Sequence, residues 1–143
     1  MLAIAESACI DKHSLEYASI CNTYVIVAVE QNDMEMGQEY SKKALVIRRV
    51  KLPAFDMNRA ASYANYANSL INEGEYDNAI RYMAAARGIW VRMPDESKVY
   101  TALAQIVLGR TYALKGAFGQ ATELFQEAKR VLVKRRDKGL LVV

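Results

Sequence analysis

The sequence predicts an all-α protein, an α-α superhelix (solenoid) of about seven antiparallel helices forming three helix pairs plus an N-terminal lone helix. Three observations predict it. Matched residues recur 42 positions apart: Asn32, Gly74 and Gly116; Met34, Tyr76 and Phe118; Gly37, Ala79 and Ala121; Ala44, Ala86 and Ala128; and, earlier in each unit, Ala18, Ala60 and Ala102. Repeats of this length build stacked helical arrays. Hydrophobic residues make up 52% of the chain and there are only 2 prolines, which favours long helices over loops. Within each unit the apolar residues keep helical spacing, interrupted at the same point by Gly or Asn.

Each unit reads as two helices and a tight turn. In the second, Tyr63, Tyr66, Ala67 and Leu70 share a face before the turn Asn72-Glu73-Gly74-Glu75. Gly74 and Gly116 suit the left-handed residue that ends a helix, having no Cβ to clash. Asn32 takes that place in the first unit, and Asn tolerates the conformation next best. The second helix then shows one apolar face: small at Gly37, Ala79 and Ala121, continuing through Ser41, Met83 and Phe125, the alanine rung, and Ile47, Ile89 and Val131. Small residues let helix axes approach closely. Pro53 and Pro94 separate the units, and Ser14, Asp33, Asp56, and Asp95 or Ser97 are helix-start signals. The expected helices are 2–10, 14–31, 34–51, 57–73, 76–92, 96–115 and 118–136. The expected organisation is one domain over 1–138. Residues 1–13 hold the lone helix of an incomplete repeat, repeats follow at 14–56, 57–95 and 96–138, and 139–143 is an apolar tail.

Composition excludes several function classes. The net charge is +3, but Lys129, Arg130, Lys134, Arg135, Arg136 and Lys138, less Asp137, give their segment +5 and leave −2 elsewhere. The body is therefore not a basic nucleic-acid binder. The basic segment itself has three functional readings: nucleic acid, an acidic membrane or an acidic partner. The simpler reading is a helix C-terminus carrying cations that its dipole favours, since no aromatics interleave for base stacking. Cys9 and Cys21 sit in apolar helical contexts as small hydrophobes, and the single His13 has no patterned partner, so no metal site or cofactor is expected. No signal peptide or membrane span is evident, and the cytoplasm is the expected compartment. Without a nucleophile–base pair or Gly-rich phosphate loop, no enzyme is expected; Glu73, Glu75 and Asp77 read as turn residues.

The units resemble the tetratricopeptide repeat (TPR) family. The third carries the resemblance best, with Leu108-Gly109, Tyr112, Gly116, Phe118, Ala121, Phe125 and Ala128. The second matches at Ala67, Leu70, Gly74, Tyr76, Ala79 and Ala86, and the first, more degenerate, at Val25, Ala28, Asn32, Met34, Gly37 and Ala44. A 42-residue unit looks like the kinesin-light-chain type, and Lys43-Ala44-Leu45-Val46-Ile47-Arg48 resembles its A-L-x-I-R segment. Similar arrays form sensor halves of NLR-like signalling ATPases, notably in filamentous fungi, although no phosphate-binding loop occurs here.

The resemblance implies a non-catalytic scaffold that binds a protein or peptide, not a small-molecule substrate, on the concave face lined by the first helices. The positions brought out there are Asn22, Asn65, Asn68, Asn72 and Arg110. Asn offers a donor and an acceptor together and can pair with a peptide backbone, and Arg110 can meet a carboxylate. Asn on a first helix also caps, bonds its own turn or faces water. Ile26, Val29, Ile71, Leu103, Ile106 and Ala113 share that face and would floor the groove unless the helices bury them. The family's carboxylate clamp is not matched, because its positions hold Asn22, Ile26, Leu103 and Val107. The alternative function is a structural piece of a larger NLR-like signalling ATPase that self-associates through its uncapped ends, where Leu132 and Val133 stand.

Overall fold

Six α-helices follow one another in the computed structural model, which describes residues 10–94 and 98–137, with side chains as far as residue 134. They are α1 (Leu15–Gln31), α2 (Met34–Lys51), α3 (Met57–Asn72), α4 (Tyr76–Trp90), α5 (Lys98–Leu114) and α6 (Phe118–Asp137). The expected lone helix at 2–10, the start signals Asp95 and Ser97, Lys138 and the apolar tail 139–143 lie outside the described residues. Each helix packs mainly on its neighbours in the chain, most extensively within the pairs α1/α2, α3/α4 and α5/α6. That is the one-dimensional contact pattern of a solenoid.

The pairs are made by one turn written three times. Asn32, Gly74 and Gly116 all hold positive φ, at 54°, 81° and 85°. The next residue's N–H reaches five residues back in each case: Asp33 to the Ala28 carbonyl at 2.8 Å, Glu75 to Leu70 at 2.9 Å, Ala117 to Tyr112 at 2.9 Å. This is the Schellman closure, and it satisfies carbonyls that the helix end would otherwise strand. Asp33 then caps α2 by accepting from the Met36 N–H at 3.0 Å. Ser14 caps α1 through the Tyr17 N–H, and Asp56 caps α3 through the N–H groups of Asn58 and Arg59. Helix α4 stops at Trp90, two residues short of expectation. Its last turn tightens, with N–H bonds from Arg92 to Ile89 and Met93 to Trp90, because Pro94 disfavours helical geometry before it.

The small-residue rungs are the pair interiors. Ala18, Ala60, Ala102, Ala44 and Ala86 are fully buried, and Ala79, Ala121 and Ala128 nearly so. At Gly109 the approach is closest: a Cβ there would stand 2.9 Å from the Phe125 ring. Two apolar cores result. One joins Tyr17, Ala18, Cys21, Ala44 and Ile47 between α1 and α2. The other runs across α3, α4 and α5 through Ala67, Met83, Ile89, Trp90, Ala104 and Leu108.

Between those cores the α2/α3 junction is polar. Arg48, only 7% exposed, donates to the Ser62 hydroxyl at 3.1 Å and to the Asn58 carbonyl at 3.2 Å. The Ser41 and Ser69 hydroxyls meet at 3.2 Å, and Gln38 donates to Glu73 at 2.8 Å. Burial pulls the Arg48 pKa down, with nearby Asp56 opposing. The next junction, α4/α5, is apolar, with the Trp90 ring stacked 5.6 Å from that of Tyr100.

The turn and the seam are separately testable. Nothing lies within 4 Å of a Cβ built on Gly74 or Gly116, so Gly→Ala there tests backbone conformation alone. Each is expected to cost about 1–2 kcal/mol in denaturant unfolding, while Asn32→Gly costs nothing or stabilises slightly. Arg48→Ala leaves the buried Ser62 hydroxyl without its partner and is expected to cost about 2 kcal/mol in the same measurement.

Candidate functional site

The face presented by the first helices opens into a cleft where α1, the α1–α2 turn, the first turn of α2 and α3 converge. Val25, Ala28 and Val29 come from α1, Asn32 and Asp33 from the turn, Met34 and Gly37 from α2, and Asn65, Asn68, Ser69 and Asn72 from α3. The turn chemistry places them together. The left-handed Asn32 reverses the chain, so the end of α1 and the start of α2 lie side by side, and α2 packs on α3. The cleft holds about 160 Å³. That is well below the roughly 300–1,000 Å³ of a drug-sized ligand site and suits a side chain or a short stretch of backbone.

Three of the five expected residues, Asn65, Asn68 and Asn72, line this cleft. A fourth is tied to it: half-buried Asn65 donates through Nδ2 to Oδ1 of half-buried Asn22 at 3.4 Å. That long bond orients both amides across the α1–α3 gap and leaves the Asn65 carbonyl oxygen as an acceptor. Asn68 and Asn72 are exposed. Arg110 is exposed on α5 and is not part of the cleft. The apolar floor divides: Ile26 (64%), Val29 (71%) and Leu103 (49%) are open, whereas Ile71, Ile106 and Ala113 are half-buried.

Sequence reasoning treats Asn32, Asp33 and Met34 only as turn and helix-start residues, and it passes over Ser69. The signal that points to the first three is the rung itself. A residue ending a first helix stands beside the same end of the next first helix. Ser69 carries no comparable sign, because its hydroxyl also serves the seam with Ser41.

Electrostatics at the cleft are mild. The Tyr66 hydroxyl is held above its ordinary pKa, first by burial and then by Tyr82, Glu75 and Glu73, so it stays protonated as a donor. The Tyr82 ring meets Tyr66 edge-on at 4.9 Å and stacks with Tyr63 at 6.1 Å, which fixes this flank of α3. Among the described residues, no cluster of His, Cys, Asp and Glu could hold a metal ion, and no helix is long and apolar enough to cross a membrane.

Comparison with known families decides the class. The tetratricopeptide repeat profile matches residues 56–132, more than half of the chain. The chain belongs to the tetratricopeptide repeat family. TPR arrays are protein-interaction scaffolds, and the fold agrees. The crystal structure of BtubC (BKLC) from P. vanneervenii superposes with a TM-score of 0.83 at 20% identity, over 94% of this chain. The chain spans 54% of that protein's length, about half of it. No curated protein sequence matches. In the first helix pair, which lies outside the matched segment, the Asn32 turn closes in the same way as the Gly74 and Gly116 turns inside it.

Cys21 tests whether the core between α1 and α2 is closed. Its thiol is buried, and burial raises its pKa even though Lys43 acts to lower it. In a Cys9→Ser background, native Cys21 is expected to react with a thiol reagent at least roughly a hundredfold more slowly than in denaturant, followed by absorbance.

Proposed function

We propose that this TPR array is a non-catalytic scaffold that seats an extended or helical peptide along its first helices, with the asparagine-lined cleft as the anchor. The carrying observation is the juxtaposition of Asn65, Asn68 and Asn72 with the apolar Val25, Val29 and Met34 around a notch of about 160 Å³. Amides supply donors and acceptors for a peptide backbone, which favours binding without strict sequence demand. The apolar wall takes one side chain. Exposed Ile26, Val29 and Leu103 extend the contact surface along the same face, and Arg110 on α5 offers a charge-assisted bond to a carboxylate farther along.

A peptide library probed by fluorescence polarisation tests this. Asn68→Ala and Asn72→Ala are each expected to weaken the best binders about fivefold, the worth of one neutral hydrogen bond of about 1 kcal/mol. Arg110→Ala should weaken only binders with an acidic residue. If a variant with Asn65, Asn68 and Asn72 all changed to Ala keeps its helical circular dichroism and binds undiminished, the groove assignment falls.

A further inference from the structure

We propose that the segment seated in the asparagine-lined cleft is basic, with Lys or Arg beside the apolar residue that enters the notch. This rests on the groove reading above and names its occupant. Val25, Val29 and Met34 give the notch an apolar wall, and the amides of Asn65, Asn68 and Asn72 are neutral. Neither feature selects a charge. Selection comes from the rim.

The rim is made of two turns. Residues 30–35 carry Glu30, Asp33 and Glu35, residues 72–77 carry Glu73, Glu75 and Asp77, and neither stretch holds a Lys or Arg. Asp33 and Asn72 line the cleft themselves, and Glu73 accepts from Gln38 of α2 at 2.8 Å, so both turns flank one opening. All six carboxylates are exposed. Among the described residues, only Asp77 of the six is paired with a cation, Lys115. Asp33, Glu73 and Glu75 accept from neutral N–H groups of Met36, Gln38 and Asn78, which leaves their charge uncompensated. Their field reaches inward, because Glu75 and Glu73 add to the burial and the Tyr82 contact that hold the Tyr66 pKa up.

Fold stability does not account for the whole pattern. Asp33, Glu35, Glu75 and Asp77 stand where α2 and α4 begin, and there the helix dipole favours anions. Glu30 and Glu73 stand where α1 and α3 end, and there it favours cations, yet neither helix has a basic residue in its last turn. The 42-residue period gives Glu30 the place in α1 that cleft-lining Asn72 has in α3. The third turn shows the alternative. Lys115 stands at the position of Glu73, and residues 114–119 hold no acid. The turn geometry recurs there with the opposite charge. The acidic rim thus belongs to the first two turns and to the cleft they flank. A cationic side chain beside the notch meets carboxylates from both turns, whereas an acidic segment is repelled by both.

Fluorescence polarisation of three labelled peptide pools with the full 143-residue chain tests this. Each pool fixes a central Leu and differs only in the two residues flanking it, which are Lys, Gln or Glu. At low salt the Lys pool is expected to bind roughly tenfold tighter than the Gln pool, and the Glu pool weakest. In about 1 M salt the pools should converge to within about twofold. Glu30→Lys combined with Glu73→Lys is expected to invert the order of the Lys and Glu pools. The same variant should keep or raise the thermal midpoint, since both cations suit helix C-termini. Pools that bind alike at low salt, or a charge-reversed variant that keeps the Lys preference, overturn the basic occupant and leave the groove standing. A Lys pool with Ser in place of Leu that binds as tightly overturns it too, because the attraction is then general to the acidic edge. If no pool binds, or if changing Asn65, Asn68 and Asn72 to Ala leaves the Lys pool unaffected, the groove reading itself falls and takes this proposal with it.

Discussion

Everything in this fold depends on how near two helix axes come within a pair. Ala18, Ala44, Ala60, Ala86, Ala102 and Ala128 are at most 1% exposed, and none has a side chain beyond Cβ. Close approach of this kind supplies dispersion contacts along the whole pair but little transferable apolar area, since each alanine buries only a methyl group. The larger residues must therefore contribute at the seams. Trp90, Met83, Leu108 and Ile89 do so around α4 and α5. Gly109 shows the limit of the scheme, because it alone makes room for the Phe125 ring, and that ring ties α6 to α5.

Repetition sets the geometry of the junctions without setting their chemistry. Between α4 and α5 the junction is aromatic and apolar. Between α2 and α3 it is a row of hydroxyls and a buried guanidinium. An apolar seam tolerates small slides, because burial is non-directional. The Arg48 bonds to Ser62 and Asn58 do not, because a misplaced partner leaves a charge desolvated. The polar seam therefore contributes less to stability and more to register, placing the first pair against the second in one position.

Much of the fold was legible because its determinants are local. A left-handed residue must end each first helix, and Asn32 was readable as its substitute from its place in the period alone. The caps Ser14, Asp33 and Asp56 were readable for the same reason. The seam was not. Arg48 lies in a run of basic residues that looks like a solvated helix end, and only α3, brought alongside by tertiary packing, supplies its acceptors. The site was partly legible. The first-helix asparagines were found by face, but the pairing of Asn22 with Asn65 spans 43 residues, one off the period, and so fell between the rungs. Arg110 shares the helix face with the others, yet it sits one unit beyond the cleft, and helical spacing carries no information about which units a notch spans.

The cleft and the seam are two sides of one junction. Val25, Val29 and Met34 belong to the first pair; Asn65, Asn68 and Asn72 belong to the second. Ser69 faces both, lining the cleft while its hydroxyl meets Ser41. A ligand seated there would touch both pairs at the junction whose buried side chains are mostly polar. By linkage, whatever binds the assembled junction more tightly than the separated one stabilises it by that difference. Occupancy of the cleft would therefore strengthen the contact between pairs that the sequence has built with the least apolar surface, while the α4/α5 junction, already closed over Trp90, would respond little.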